Sequence, residues 1–295
     1  WQKLKRIKKY YDEGNYAEAM EYAMYNSDTV IREEIVWAWN AALAWVCGNV
    51  VIWKGSEKTP LCLIACQKIV NKVFAKNKLP DGISSVITGD YKVGEWMSND
   101  TRIPLISATG STRMGKAVGV AVASRFGKSI LELGGNNAII ISDTAQLQLV
   151  LPAIVFGAVG TAGQRCTTTR RLIIHEKIYD EVKAVLKKAY TQLRIGNPLD
   201  QNNHIGPLID QKAVEAFLYA IRQVKKEGGK ILVPGSRLEG KNYQSGCYVS
   251  PCIAEVENHY EIVQHETFAP ILYLIKYSTL EEAVALQNSV PQGLS

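Results

Sequence analysis

The sequence has no apolar run long enough to cross a membrane as a helix, no Cys-x-x-Cys pair, and only four histidines, scattered along 295 residues. The longest apolar stretch, residues 41–53, is broken by Gly48 and Asn49 and stays short of the roughly 20 residues a spanning helix needs. It reads instead as a buried helix running into a buried strand. With neither paired cysteines nor clustered histidines, the spacing of a zinc site is missing, and no metal is expected. No initiator Met or signal-peptide pattern opens the chain, and Asp12, Glu13, Glu18 and Glu21 are out of place in a transit peptide. The cytoplasm is therefore the expected compartment, with the mitochondrion as the alternative.

A formal charge of +6 raises the question of nucleic acid, but the charge is not concentrated. Residues 1–34 carry six basic and seven acidic side chains, and the remaining 28 basic and 21 acidic ones are spread along helices without interleaved aromatics. That pattern excludes a nucleic-acid surface as the leading reading. Of the six cysteines, four or five are expected to behave as small buried hydrophobes in a reducing compartment. Cys166 is set apart by its neighbours.

From about residue 50 onward, short β-branched runs alternate with longer helical patterns, the order of βαβ units. Strands are expected at 50–53, 84–88, 105–108, 130–133 and 138–141, with helices at 60–75 and 111–126. Parallel strands need crossovers, so the economical arrangement is a doubly wound sheet with helices on both faces. The Gly134-Gly135 pair is a sharp breaker and marks a domain boundary. Beyond it come helices at 144–159, 179–193 and 212–227 and strands at 171–175, 248–251 and 271–275. The fold class is α/β: 1–34 a helical segment, 35–134 a partial doubly wound dinucleotide-type domain, and 135–295 a second, partial α/β domain. Residues 14–19 have a faint tetratricopeptide flavour, but with no second copy a lone helical hairpin is the simpler reading.

Four motifs carry chemistry. Gly110-Ser111-Thr112-Arg113-Met114-Gly115 lies between a strand and a helix, where N–H groups of a helix start can receive a pyrophosphate, although the GxGxxG spacing is absent. Trp53-Lys54-Gly55-Ser56-Glu57-Lys58-Thr59-Pro60 ends a strand with an ammonium and a carboxylate three residues apart, at the sheet edge where such folds bind ligands. A Glu there can accept both hydroxyls of a ribose and would repel a 2′-phosphate. A solvated ion pair is the plainer alternative. In Leu131-Glu132-Leu133-Gly134-Gly135-Asn136-Asn137 one carboxylate stands in an otherwise apolar strand, which is costly unless it is paired or acts as a base. Gly163-Gln164-Arg165-Cys166-Thr167 puts a thiol in a polar, small-residue loop beside a cation, a setting that favours thiolate.

These motifs, in this order, resemble those of the aldehyde dehydrogenases. The Glu132 stretch, Cys166 34 residues later, and His265-Glu266-Thr267-Phe268-Ala269-Pro270 are similar to that family's glutamate, cysteine and second-glutamate signatures, over about residues 35–295. The wording at 131–138, 156–171 and 266–270 is closest to the antiquitin, or α-aminoadipic semialdehyde dehydrogenase, branch. The resemblance implies Cys166 as nucleophile and Glu132 as general base, with Lys54 and Glu57 on the adenosine ribose and Gly110 and Ser111 at the pyrophosphate. It further implies Glu266 on the nicotinamide ribose with Phe268 beside it, NAD as cofactor, a small aldehyde as substrate, and homo-oligomers among full-length relatives. Arg165 is a candidate for binding a distal carboxylate on the substrate.

The resemblance also has gaps. The family's oxyanion-donating Asn lies 23 residues before the lysine matching Lys54, and here that position is Ile31. No counterpart of the family's N-terminal strands is recognisable, and the chain looks truncated at both ends. Two readings therefore compete with aldehyde oxidation: a catalytically impaired relative that retains NAD or partner binding, and a cofactor-independent thiol esterase using Cys166 and Glu132.

Overall fold

A computed structural model describes residues 29–294. The helical hairpin expected within residues 1–34, tetratricopeptide-like stretch included, therefore lies largely outside the described residues. The chain divides into two compact units, one ending at Leu133 and the other spanning 134–295.

The first unit opens with helix α1 (Thr29–Val46), followed by β1 (Val51–Lys54), α2 (Pro60–Lys76), β2 (Ser84–Ile87), α3 (Tyr91–Asn99), β3 (Leu105–Thr109), α4 (Thr112–Ser124) and β4 (Lys128–Glu132). Trp37, Ala41 and Trp45 recur every four residues and so share one stripe of α1. Trp37 stacks on Trp53 of β1 at 4.3 Å, and Trp45 meets Phe74 of α2 edge-on at 5.3 Å. Leu43 and Val46, on other faces of the same helix, are 58% and 87% exposed, and Ile52 of β1 is 43% exposed, so stretch 41–53 is a helix and a strand but not a buried pair. The 3.6-residue period explains this: the side carrying Trp37, Ala41 and Trp45 meets β1 and α2, and Leu43 and Val46 lie off that side.

Among the described residues of this unit every pairing is parallel, β1 with β2 and β3 with β4. The expected continuous sheet is not present: among the described residues no ladder joins the two pairs. Leu63, Ile106 and Val122 are buried, but Leu105 and Ile130 on the paired strands are about half exposed, so little core is shared between the pairs.

The second unit is built on a five-stranded sheet of order β5-β6-β11-β10-β7. Its strands are β5 (Asn137–Ile141), β6 (Thr169–His175), β7 (Lys230–Val233), β10 (Cys252–Glu255) and β11 (Ile271–Tyr277), all parallel except β7, which runs antiparallel to β10. A short pair, β8 (Ser236–Arg237) and β9 (Val249–Ser250), stands apart. The helices are α5 (Leu147–Val159), α6 (Tyr179–Thr191), α7 (Gln211–Lys226), α8 (Glu261–Gln264) and α9 (Leu280–Asn288). Leu172, Ile173 and Ile174 of β6 are buried without alternation, as expected of a strand covered on both faces. Fully burying each such side chain contributes about 1.5–3 kcal/mol. On α7, Val214, Phe217, Ala220, Ile221 and Val224 form the buried stripe, and Asp210 caps the helix by accepting from the Ala213 N–H at 2.9 Å. The strand expected at 248–251 is only the short β9, and the sheet strand beside it, β10, lies just beyond that range. Pro251 has no N–H for a ladder, so β9 stops before it and the sheet strand β10 starts after it.

Of the six free cysteines only Cys252 is buried; Cys47 is exposed and the others are half-buried. The expectation of four or five buried thiols is thus corrected: three of the six lie in the thinly packed first unit. Among the described residues no helix is long and apolar enough to cross a membrane, and no group of His, Cys, Asp or Glu could hold a metal ion.

Candidate active site

In the first unit the candidate residues sit at strand ends. The Lys54 ammonium, at the end of β1, pairs with the Glu57 carboxylate at 3.4 Å. The Glu57 backbone N–H and then Lys54 hold its carboxyl below the usual carboxylate range, so it stays ionised through neutral pH. Gly110 and Ser111 form the turn from β3 into α4. Ser111 is the N-cap, accepting from the Met114 N–H at 3.2 Å, which leaves its O–H available as a donor. The Gly110 N–H donates to the carbonyl of Glu132 at 2.9 Å, so the βα turn and the end of β4 are brought together. The Glu132 side chain is exposed, contrary to the apolar surroundings expected for it. It is the last residue of β4, with Leu131 and Leu133 on the opposite pleat.

In the second unit Cys166 lies in the loop between α5 and β6. Thr161, Ala162 and Gly163 have φ of 53°, 53° and 69°, three consecutive left-handed residues that turn the chain at the end of α5. For Thr and Ala this conformation carries strain of about 1–2 kcal/mol each, so the surroundings must enforce it. At Gly163 a Cβ would fall 2.5 Å from the Ala269 carbonyl, so only glycine fits. The loop then closes on itself: the Arg165 N–H donates to Thr168 Oγ1 at 3.0 Å, and the Thr168 N–H to the Arg165 carbonyl at 3.1 Å. Asn137 Nδ2 donates to the Cys166 carbonyl at 2.6 Å and to that of Thr168 at 3.1 Å. Gly135 packs against the same peptide; a Cβ there would be 2.2 Å from the Cys166 carbonyl oxygen.

Glu266 reaches this cluster from the loop before β11. Its Oε1 accepts from the Gly135 N–H at 3.1 Å and from Arg170 Nη2 at 3.2 Å. Phe268, 43% exposed, lies over the Arg170 guanidinium at 5.4 Å. Arg165, adjacent to Cys166 in sequence, directs its Nε to Thr161 Oγ1 at 2.9 Å and stacks its guanidinium on Phe156 at 5.0 Å. The cation deeply buried in this cluster is Arg170. Burial pushes its guanidinium below its usual range, while Glu266, and to a lesser degree Cys166, act in the opposite direction.

Cys166, Arg165, Glu266 and Phe268 thus converge in one unit, and Gly110, Ser111 and Glu132 in the other, where Lys54 at the end of β1 also pairs with Glu57 in the turn beyond it. Sequence reasoning missed Arg170, Asn137 and Gly135 as the parts that hold the cysteine loop. A signal existed for Arg170: two consecutive arginines head the apolar run Leu172-Ile173-Ile174, and a charge at the mouth of a buried strand demands partners.

An α/β chain with a thiol loop on one unit and a serine-capped βα turn on the other is a recognisable class of architecture. More narrowly, the chain belongs to the aldehyde dehydrogenase family, whose sequence profile matches residues 35–295. The α-aminoadipic semialdehyde dehydrogenase of Bos taurus is 50% identical over 261 residues, 88% of this chain and 48% of that one. Among solved structures, an aldehyde dehydrogenase from Burkholderia cenocepacia, described as putative, superposes with a TM-score of 0.84 at 28% identity, covering 89% of this chain and 53% of that one. The betaine aldehyde dehydrogenase of Staphylococcus aureus, solved in complex with NAD+, gives 0.79 at 29% identity, covering 84% and 49%. The chain spans about half the length of the curated relatives it matches. The match begins where the sequence resemblance was expected to begin; Ile31 lies before it, within α1.

Proposed function

We propose that this chain carries the chemistry of NAD-dependent oxidation of an aldehyde to its carboxylate, with a semialdehyde such as α-aminoadipic semialdehyde as the substrate class. The observation that carries this reading is the Cys166 loop, a half-buried thiol whose main chain is pinned by Asn137 and Gly135 beside a held carboxylate, in a chain of this family. Cys166, as thiolate, attacks the aldehyde carbon to give a thiohemiacetal. Loss of hydride from that carbon leaves a thioester, and Glu132 deprotonates the water that hydrolyses it. NAD, when bound, supplies the hydride acceptor.

The residues present fit that cofactor. Glu57 offers an ionised acceptor pair for ribose hydroxyls with Lys54 beside it, and Gly110 and Ser111 open α4, a helix of 13 residues whose N-terminus suits a phosphate. Glu266 commits Oε1 to Gly135 and Arg170, while its Oε2 makes no hydrogen bond among the described residues and suits a second ribose hydroxyl. Arg165 is assigned to a distal substrate carboxylate, for which a guanidinium is the natural partner.

The test is NADH absorbance on the purified chain with semialdehyde and NAD. We expect aldehyde-dependent NADH formation slower than the about 1 s⁻¹ at the low end of ordinary enzymes, because Ile31 stands where an oxyanion donor is expected, and one lost donor costs on the order of 10²–10³. Absence of any aldehyde-dependent signal would overturn the reading. Arg165→Ala is expected to lose turnover on carboxylated aldehydes at least about tenfold more than on plain aliphatic ones. Equal loss on both would remove Arg165 from substrate binding. Gly135→Ala, which pushes against the Cys166 carbonyl, is expected to cost about a hundredfold in turnover, the scale of a 1 Å misplacement. Turnover within twofold of wild type would show that the loop adjusts freely.

A further inference from the structure

The Arg170 side chain touches four segments of the cysteine cluster. Its Nε donates to the Gly135 carbonyl at 3.3 Å. One amino group, Nη1, donates to the carbonyls of Gly163 at 3.4 Å and Thr267 at 2.5 Å. The other, Nη2, donates to the Arg165 carbonyl at 3.0 Å and to Glu266 Oε1 at 3.2 Å. A guanidinium has five N–H groups in a planar fork, and here each has an acceptor. The side chain is only 2% exposed, and the Phe268 ring lies over it. The acceptors come from four separate stretches: the Gly134-Gly135 turn, the left-handed 161–163 turn, the Cys166 loop, and the loop carrying Glu266.

We propose that Arg170 is a positioning residue that locks the Cys166 loop and the Glu266 carboxylate into one frame, so that displacing either displaces the other. Resting on the functional reading above, this means that the thiol and the ribose-binding carboxylate are set by a common support. The left-handed turn at 161–163 gives the support something to hold, since Gly163 and Arg165 both present carbonyls to the fork. A lysine at this position could reach only some of those acceptors, because its three donors radiate from one point.

The coupling is measured by peptide-resolved hydrogen exchange on the full chain, which needs no turnover and so remains readable if the dehydrogenase reading fails. Glu266→Gln is made first, because the partly exposed Glu266 makes no direct bond to residues 163–168 and the variant should fold. Weakening the charged bond to Arg170 is expected to speed exchange across 163–168 about tenfold, the scale of one lost charge-assisted hydrogen bond. Arg170→Met is expected to speed exchange in both 163–168 and 265–269 while the β6 segment 172–174 stays protected. Arg170→Lys should fall between Arg170→Met and wild type. If the chain turns over, Arg170→Lys should raise KM for NAD and lower kcat together, about tenfold each. Unchanged exchange of 163–168 in Glu266→Gln overturns the proposal. So does loss of protection in Arg170→Met that spreads evenly through β6, which would reduce Arg170 to a contributor to general stability. Should Arg170→Met fail to fold, the Glu266→Gln and Arg170→Lys results decide alone.

Discussion

Cys166→Ala is expected to abolish aldehyde-dependent NADH formation, by at least about a thousandfold, with the fold intact. Alanine keeps the backbone and removes the only atom that can bond the aldehyde carbon. The bonds from Asn137 and between Arg165 and Thr168 run through main-chain carbonyls and amides of the loop, so they survive the substitution. Two other cysteines serve as controls. Cys252 is fully buried, and burial pushes its thiol up to about 11, which makes it inert at neutral pH. Its alanine variant should lose about 1 kcal/mol of stability and keep turnover. Cys62, half-buried on α2 in the other unit, should be equally dispensable. Steady-state kinetics on the three variants gives the answer, and retained turnover in Cys166→Ala alone would remove it as the nucleophile.

The largest effect on stability is expected at Arg171. This side chain is 0% exposed and donates to the Asn136 carbonyl through Nε and Nη2, to Asn258 Oδ1 at 3.1 Å, and to the carbonyls of Leu286 at 2.8 Å and Gln287 at 3.2 Å. Leu286 and Gln287 belong to the last turn of α9, whose final carbonyls have no partner inside the helix. Arg171 therefore caps α9 from inside the sheet, and its positive charge faces the negative end of the helix. Burial pushes the guanidinium down to about 10, so the charge is held against a desolvation cost that these bonds offset. Arg171→Met fills much of the volume but strands several carbonyls, and stranded buried acceptors cost about 1–3 kcal/mol each. A loss of roughly 3 kcal/mol, or about 6–12 °C in Tm for a unit of this size, is expected from calorimetry. A fall of less than about 2 °C would mean that water or a rearranged α9 replaces the arginine.

Arg170 and Arg171 also show where reading the sequence stopped. The strand at 171–175 was legible from its β-branched run, but it starts two residues earlier, at Thr169, and both arginines lie inside it. An Arg-Arg pair looks like a solvent-facing strand end; only the sheet shows that the two alternate faces are both covered, so that one fork meets the cysteine cluster and the other meets α9. Glu132 erred in the opposite direction, since its apolar neighbours along the chain suggested burial and the pleat turned it outward. The sheet order β5-β6-β11-β10-β7 was equally out of reach. It joins strands more than 90 residues apart, and Pro251 hides the boundary of one of them.

Local patterning alone determined the α/β class, the strand-to-helix turn at Gly110-Ser111, the polar loop around Cys166 and membership of the aldehyde dehydrogenase family, because each rests on residues close together along the chain or on motifs in a set order; that Ser111 caps α4 came from the structure. Tertiary structure decided which groups support them. Gly135, Gly163, Arg165 and Thr267 meet Arg170 through backbone carbonyls, which every residue carries, so no side-chain identity in the sequence could mark them in advance.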